Sequence, residues 1–339
     1  MSAEPLSATG TGSTVPDRGF DPVLRSARRR LLVLAGLAVV AIVAFLLVDL
    51  RGSVTFALQL RARTVLTMVV VGYAVAVSTV LFQTVTTNRI LTPAIMGFDS
   101  LYAALQTVLV AALGAVNATR IGPGWQYALE LVLMVGFSLL LFSRLFGRRS
   151  YSLHLLVLVG IVLGVLFRSV SSFVQRLLDP NEFYVLQDRL FASFTRVDET
   201  LLVVSTGLVV VVSAVAWAIR SRFDVVALGR PTAISLGLDY QRTVLLILVL
   251  VAVLVSVSTA LVGPIMFFGL LVSNLAYQIC RTGRHRVTLP AAVLLSIICL
   301  VGGQAVLQHG FGLNTTLSVV VEFLGGIVFL VLLLKGVRR

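Results

Sequence analysis

Five polar side chains recur along one apolar run: Arg168, Ser171, Ser172, Gln175 and Arg176. Read as a helix, that spacing puts all five on a single face. A charge near the centre of a bilayer costs roughly 2.5–3.5 kcal/mol on insertion scales, so such a stripe must face a bundle interior or a water-filled cavity. Guanidinium groups suit charge-assisted bonds to the oxygens of anions. Two uses fit the stripe: the wall of a pathway for an anionic cargo, or an internal ion pair that locks helices together. Glu322 is the acidic partner available to such a lock, and Thr315, Ser318 and Glu322 also follow helical spacing. Asp99 and Gln106 share another helix face, whereas Glu130 stands alone in its run.

Nothing in the chain suggests bond-making chemistry. There are three His and two Cys, with no clustered Cys/His ligands, so no metal site is expected. Cys280 and Cys299 are expected as free thiols with a packing role. No Ser/His/Asp or paired-carboxylate arrangement stands out, and no G-x-x-x-x-G-K-[ST] phosphate loop occurs. The chain is expected to be no enzyme and to hold no cofactor. If transport is ATP-driven, ATP and its Mg belong to a separate ATPase chain.

A polar segment, DVVALGRPTAISLGLDYQR from Asp224 to Arg242, interrupts the apolar runs. Leu228-Gly229 and Leu236-Gly237 frame Pro231 to Ser235, and each Gly can end a helical turn with φ > 0. Pro is tolerated in a first helical turn. The stretch reads as a short helix outside a hydrophobic bundle, suited to docking a partner, or more plainly as an inter-span loop. Arg220, Arg222, Arg230 and Arg242 place it on the cytoplasmic side.

The elements that must position these residues are apolar helices. The 339 residues are 58% hydrophobic and 12% charged, with mean hydropathy +1.03. About ten runs are long enough to cross a bilayer at roughly 20 residues each: Leu31–Val48, Val65–Thr84, Pro93–Val116, Trp125–Leu145, Ser152–Leu178, Leu201–Ile219, Thr243–Leu261, Ile265–Cys280, Leu289–Gln308 and Thr316–Leu334. The eighth starts at Gly263-Pro264 and is expected to be short or bent. The net charge of +13 is an orientation signal and not a nucleic-acid footprint, because most basic residues fall in segments on one side. Both termini are then cytoplasmic. Residues 1–28 read as a disordered cytoplasmic N-terminus and 29–339 as one transmembrane domain. Asp179–Glu199 mixes aromatics with charges and is expected as an ordered helix or re-entrant piece.

The docking segment resembles the coupling loop of bacterial ABC-importer permeases for ferric siderophores and cobalamin. Further stretches carry the resemblance: Leu60-Arg61-Ala62-Arg63-Thr64, GYAVAVSTVLFQ from Gly72, NRILTPAIMG from Asn88, GPIMFFGLLVSN from Gly263, His285 with Leu289-Pro290, and LSVVVEFLGGIVFL from Leu317. Arg89 stands where the family has Pro, and Ser273-Asn274 where it has Pro-His. These departures, with LLDPNEFYVLQDRLFASF, look like an iron–catecholate-type subgroup and point away from cobalamin.

The resemblance implies an all-α integral membrane protein with a type II ABC-importer permease fold, in the bacterial plasma membrane. It implies a coupling loop at about 222–242 in which Leu228, Gly229, Arg230, Ala233, Leu236 and Gly237 meet the ATPase. Ile90 would form the inner gate, facing Ser152–His154. Arg168, Ser172, Gln175, Arg176 and Glu322 would shape the pathway. Arg61 and Arg63 would meet acidic residues of a binding protein, or simply anchor their span. The implied partners are a second permease chain, two cytoplasmic ATPases, an extracytoplasmic siderophore-binding protein and membrane lipid. The rival is a secondary transporter driven by an ion gradient, with Asp99, Glu130 or Glu322 as ion sites.

Overall fold

The structure is a computed structural model that describes residues 21–48, 53–120, 122–146, 153–310 and 317–336. Lipid offers no partner to backbone N–H and C=O groups, so apolar runs satisfy them internally as helices. In order these are α1 (Asp21–Leu47), α2 (Val54–Thr86), a 3₁₀ turn (Pro93–Met96), α3 (Phe98–Arg120), α4 (Pro123–Phe146), α5 (Leu153–Gln175), α6 (Pro180–Leu190) and α7 (Glu199–Ala218). Then follow α8 (Arg220–Val226), α9 (Arg230–Ser235), α10 (Tyr240–Val262), α11 (Phe268–Cys280), α12 (His285–Ile297) and α13 (Leu317–Gly336). Past Ile297 the chain of α12 runs on through two π-helical stretches, Ile298–Gly302 and Val306–Gly310.

Among the described residues seven helices are long and apolar enough to cross a membrane: α1, α2, α4, α5, α7, α10 and α12 with its continuation. The expected ten is corrected to seven at full length, with three shorter apolar stretches at Phe98–Gly114, Phe268–Cys280 and Leu317–Val328. Two causes are visible. Gly114 breaks α3 with φ 73° and ψ 158°. Gly263, at φ 101°, ends α10, and α11 begins only at Phe268, leaving it 13 residues. α1 starts at Asp21. Arg30 fixes that helix by donating from Nη1 to the Ile279 carbonyl at 2.7 Å. Residues 1–20 lie outside the described residues.

The most apolar windows of α2 and α10 are 78% and 72% buried, against 17–28% in α1, α4, α5 and α7. α2 and α10 therefore form the centre and the others surround it. Helices in lipid gain little from hiding Leu from Leu, so small residues that allow close approach decide the packing. Gly97, at φ 91°, sits where an added Cβ would lie 2.9 Å from the Gly164 Cα and 3.1 Å from the Gly160 carbonyl oxygen. The Gly160–Gly164 notch of α5 thus receives the turn that opens α3.

Segment 179–198 is ordered, as its aromatics suggested. α6 buries Leu186 against Val110 of α3. The chain then enters the bundle: Ser193 N–H donates to the Val262 carbonyl at 2.8 Å, and Ser318 Oγ donates to the Ala192 carbonyl at 3.2 Å.

Candidate translocation cavity and docking segment

A cavity of about 280 Å³ lies between α3, α5, residues 190–192 and α13. Arg168, Ser171, Ser172 and Gln175 line it from α5, Asp99 and Ser100 from α3, and Glu322 from α13. The stripe legible in the sequence is thus one wall of one cavity. Arg176 is the exception: α5 ends at Gln175, and Arg176 does not line the cavity. Gln175 Nε2 donates to Thr107 Oγ1 at 3.2 Å, tying α5 to α3. Ser171 Oγ donates to the Phe167 carbonyl at 2.8 Å. Among the described residues no ion pair joins Arg168 to Glu322 or Asp99. Arg168 is exposed.

Asp99 is buried and also borders a smaller space of about 30 Å³ lined by Ser78, Thr79, Thr92, Ser258 and Thr259. Glu130, which stood alone in sequence, has partners in space. It accepts from Gln106 Nε2 at 2.7 Å and from Gln126 Nε2 at 2.9 Å. Tyr102, Gln106, Glu130 and Arg189 border a separate open cleft of about 300 Å³. No spacing rule could have found this cluster, because its members come from three helices.

The connection after α2 is held from two sides. Thr87 takes the left-handed conformation at φ 50°, and Asn88 Oδ1 accepts from Ile90 N–H at 2.9 Å. The Arg89 carbonyl accepts from Gln83 Nε2 at 2.8 Å and from Asn274 Nδ2 at 3.2 Å. The Arg89 guanidinium stacks on Tyr277, 4.5 Å from the ring centroid. Ile90, 39% exposed, is left at the surface of this clamped loop. Ser152 lies outside the described residues and the His154 side chain is likewise not described, so the facing half of the expected gate is not placed.

The docking segment folds as its glycines require. α9 is capped on both sides by positive φ, at Gly229 (90°) and Gly237 (79°). Its end is a Schellman turn: Leu238 N–H bonds the Ala233 carbonyl at 3.1 Å and Gly237 N–H the Ile234 carbonyl at 2.9 Å. Ala233 is fully buried, so it holds α9 to the body and presents nothing. Leu228, Ile234 and Leu236 are 53–62% exposed and Arg230 is exposed beside them. Together they form an apolar ridge on a polar segment.

One linkage escaped the sequence reading. His285, buried at the start of α12, bridges two helices. Its Nδ1 lies 2.7 Å from Asp224 Oδ1 of α8, and its Nε2 lies 2.6 Å from Thr84 Oγ1 in the last turn of α2. Its backbone N–H also donates to Asp224 Oδ1 at 2.9 Å. Burial opposes ionisation of Asp224, but the hydrogen bonds from His285 outweigh it and hold the carboxyl below its ordinary value.

Arg61 and Arg63 lie within α2, two turns past its start, and not ahead of a span. Arg61 Nη1 donates to the carbonyls of Phe45 (3.1 Å) and Val48 (2.6 Å), which close the end of α1. A cation at a helix C-terminus answers the orphan carbonyls and the negative end of the dipole. These bonds tie Arg61 to the end of α1. Arg63 is half-buried.

Comparison with known proteins agrees with this architecture. A profile of the FecCD transport family matches residues 41–335. The chain is 45% identical over 306 residues to the petrobactin import system permease protein YclO of Bacillus subtilis (strain 168), covering 90% of this chain and 97% of that one. It is 37% identical over 278 residues to the petrobactin import system permease protein FatC of Bacillus anthracis, covering 81% and 78%. The vitamin B12 import system permease protein BtuC of Klebsiella pneumoniae is more distant, at 28% over 290 residues, 84% of each chain. A solved inward-facing metal-chelate-type ABC transporter shares the fold, with TM-score 0.78 at 22% identity over 91% of this chain and 99% of that one. This chain belongs to the FecCD transport family. It is the permease subunit of an ABC importer and not itself catalytic; the gradient-driven alternative has no support among these relatives.

Proposed function

We propose that this permease carries an anionic ferric siderophore into the cytoplasm of a bacterium, paired with a second permease chain and driven by two cytoplasmic ATPases. The observation that carries the cargo reading is the cavity bordered by Arg168, Ser171, Ser172 and Gln175. Among the described residues no ion pair neutralises the Arg168 guanidinium, which can meet oxygen-rich anions, while the hydroxyl and amide groups add weaker contacts that permit release. The likeness to two petrobactin permeases supports an iron chelate over cobalamin.

In this reading the three shorter apolar helices complete a bundle of about ten spans in the plasma membrane, with both termini cytoplasmic. The ridge of Leu228, Ile234 and Leu236, with Arg230 and the turns at Gly229 and Gly237, seats the ATPase. Movement of α8 reaches α2 and α12 through Asp224, His285 and Thr84. α2 leads within one turn to the loop bearing Ile90, whose apolar side chain resists wetting at a constriction. An extracytoplasmic binding protein delivers the cargo at the opposite end, where Arg63 is the remaining candidate for its docking.

The test is reconstitution of the permease with its ATPase and binding protein in proteoliposomes, measuring uptake of a radiolabelled ferric catecholate siderophore. Uptake that requires ATP and both partners is expected. Uptake by the permease alone under a sodium or proton gradient, or transport of cobalamin and not the ferric complex, would overturn the proposal.

A further inference from the structure

We infer that the permease carries a built site for one anionic phospholipid, formed by an apolar groove of α2, α7 and α12 and by Arg220 and Arg286 at its mouth. The groove, about 270 Å³, is bordered by Tyr73, Val77, Trp217, Leu289, Pro290 and Val293 among others. No charged residue borders it. Its depth fits one leaflet. Trp217 is the penultimate residue of α7, and Tyr73 lies 13 residues before the end of α2. At 1.5 Å per residue the groove reaches about 20 Å from that end of the bundle, against about 20 Å for one leaflet with its headgroup region.

Its flank is apolar and exposed. Val203, Val204, Val210, Val211 and Val215 leave α7 with an exposed apolar side. Trp217, at the helix end, is the residue type that sits at headgroup level. Pro290 shapes the groove from α12: it cannot donate to the Arg286 carbonyl, so the first turns of that helix are loosened where the groove opens.

The charges favour an anionic lipid over any apolar occupant. The Arg220 guanidinium stacks over Trp217, 5.7 Å from the ring centroid, so it stands at the groove's edge. Arg286 precedes Leu289, Pro290 and Val293 by three, four and seven residues, and so shares their helix face one turn nearer the membrane surface. Phe223 and His285 pack edge to face at 5.7 Å, which brings the starts of α8 and α12 together. Both arginines are exposed, and among the described residues neither has a carboxylate within salt-bridge distance. A phosphodiester between them with an acyl chain in the groove satisfies both halves of the site. Each arginine near a membrane surface attracts an anionic lipid by about 1 kcal/mol, or roughly five-fold.

The placement in the cytoplasmic leaflet rests on the orientation proposed above; the lipid site itself does not. The experiment uses the purified permease–ATPase complex and native mass spectrometry, with phosphatidylglycerol or phosphatidylethanolamine as the added probe. Retention of phosphatidylglycerol in preference to phosphatidylethanolamine is expected, at about one tightly held copy per permease chain. The Arg220→Gln, Arg286→Gln double variant should weaken that retention by more than ten-fold on the same scale. Val293→Phe, which fills the groove and leaves both cations, should remove it too. Equal retention of the two lipids overturns the inference, as does unchanged retention in both variants. Loss of the ATPase from the double variant with lipid unchanged assigns the arginines to the ATPase and overturns it as well. Reaction of an Arg222→Cys variant with a membrane-impermeant thiol reagent, added from either side, tests the orientation separately.

Discussion

The side-chain amide of Asn274 donates to the main-chain carbonyl of Arg89 at 3.2 Å, while Arg89 stacks its guanidinium on Tyr277, three residues further along the same helix. Arg89 and Asn274 are two of the residues, with Ser273, at which the sequence departs from the pattern its family resemblance implies. The two departures meet in space and form one clamp on the loop that carries Ile90. Removing the amide in Asn274→Ala should cost about 1 kcal/mol at this loop. Arg89→Gln and Tyr277→Leu should be non-additive by about 0.5–1 kcal/mol. A double-mutant cycle on thermal stability of the complex measures this, and strict additivity would remove the clamp.

Gly237 sits at φ 79° in the turn that ends α9, with no atom within 4 Å of a would-be Cβ. The cost of a side chain there is therefore conformational and not steric crowding, about 1–2 kcal/mol for a left-handed residue. Gly237→Val should leave the permease inserted and folded but reduce co-purification of the ATPase and uptake together. Wild-type uptake in the assembled variant would show that the turn does not set the docking surface.

Arg168 and Glu322 share a cavity without pairing. Arg168→Gln should leave the thermal midpoint of the complex unchanged and slow uptake of an anionic ferric complex about ten-fold, the scale of ~1.4 kcal/mol. Arg176→Gln should have little effect on uptake, since Arg176 does not border the cavity. Loss of folding in Arg168→Gln, rescued by Glu322→Gln, would instead establish a lock between the two.

Asp224 is held below its ordinary pKa by His285. A carboxyl whose folded pKa lies below its unfolded value, about 3.9, adds stability that is present above that value. That contribution is lost as pH falls through the folded pKa. Thermal midpoints measured between about pH 3 and pH 6 should fall more steeply below about pH 4 in the wild type than in Asp224→Asn. An identical acid limb in the two proteins would show that the Asp224–His285 contact carries no folding free energy.

Much of this protein is legible in its residues taken one segment at a time. Apolar length placed every long helix, because a backbone in lipid has no other way to pair its polar groups. Gly229 and Gly237 marked the turns around α9, since only glycine takes positive φ at no cost. Helical spacing put Arg168, Ser171, Ser172 and Gln175 on one face, and they do line one cavity.

Other features depend on which segments meet, and no local rule reports that. Two of the ten expected spans came out short because hydropathy cannot see the backbone break at Gly114 or the late start of α11. Glu130 gained partners from α3, and His285 joined α8 to α2, through contacts between residues up to 201 positions apart. Arg61 read as a cation for docking a binding protein or for anchoring its span, and its bonds to the carbonyls that close α1 appear only once the two helices lie side by side. Composition and periodicity indicate which segments become helices and which face each presents. Only the packed bundle decides whether a charge on that face meets a carbonyl, a carboxylate or a cavity.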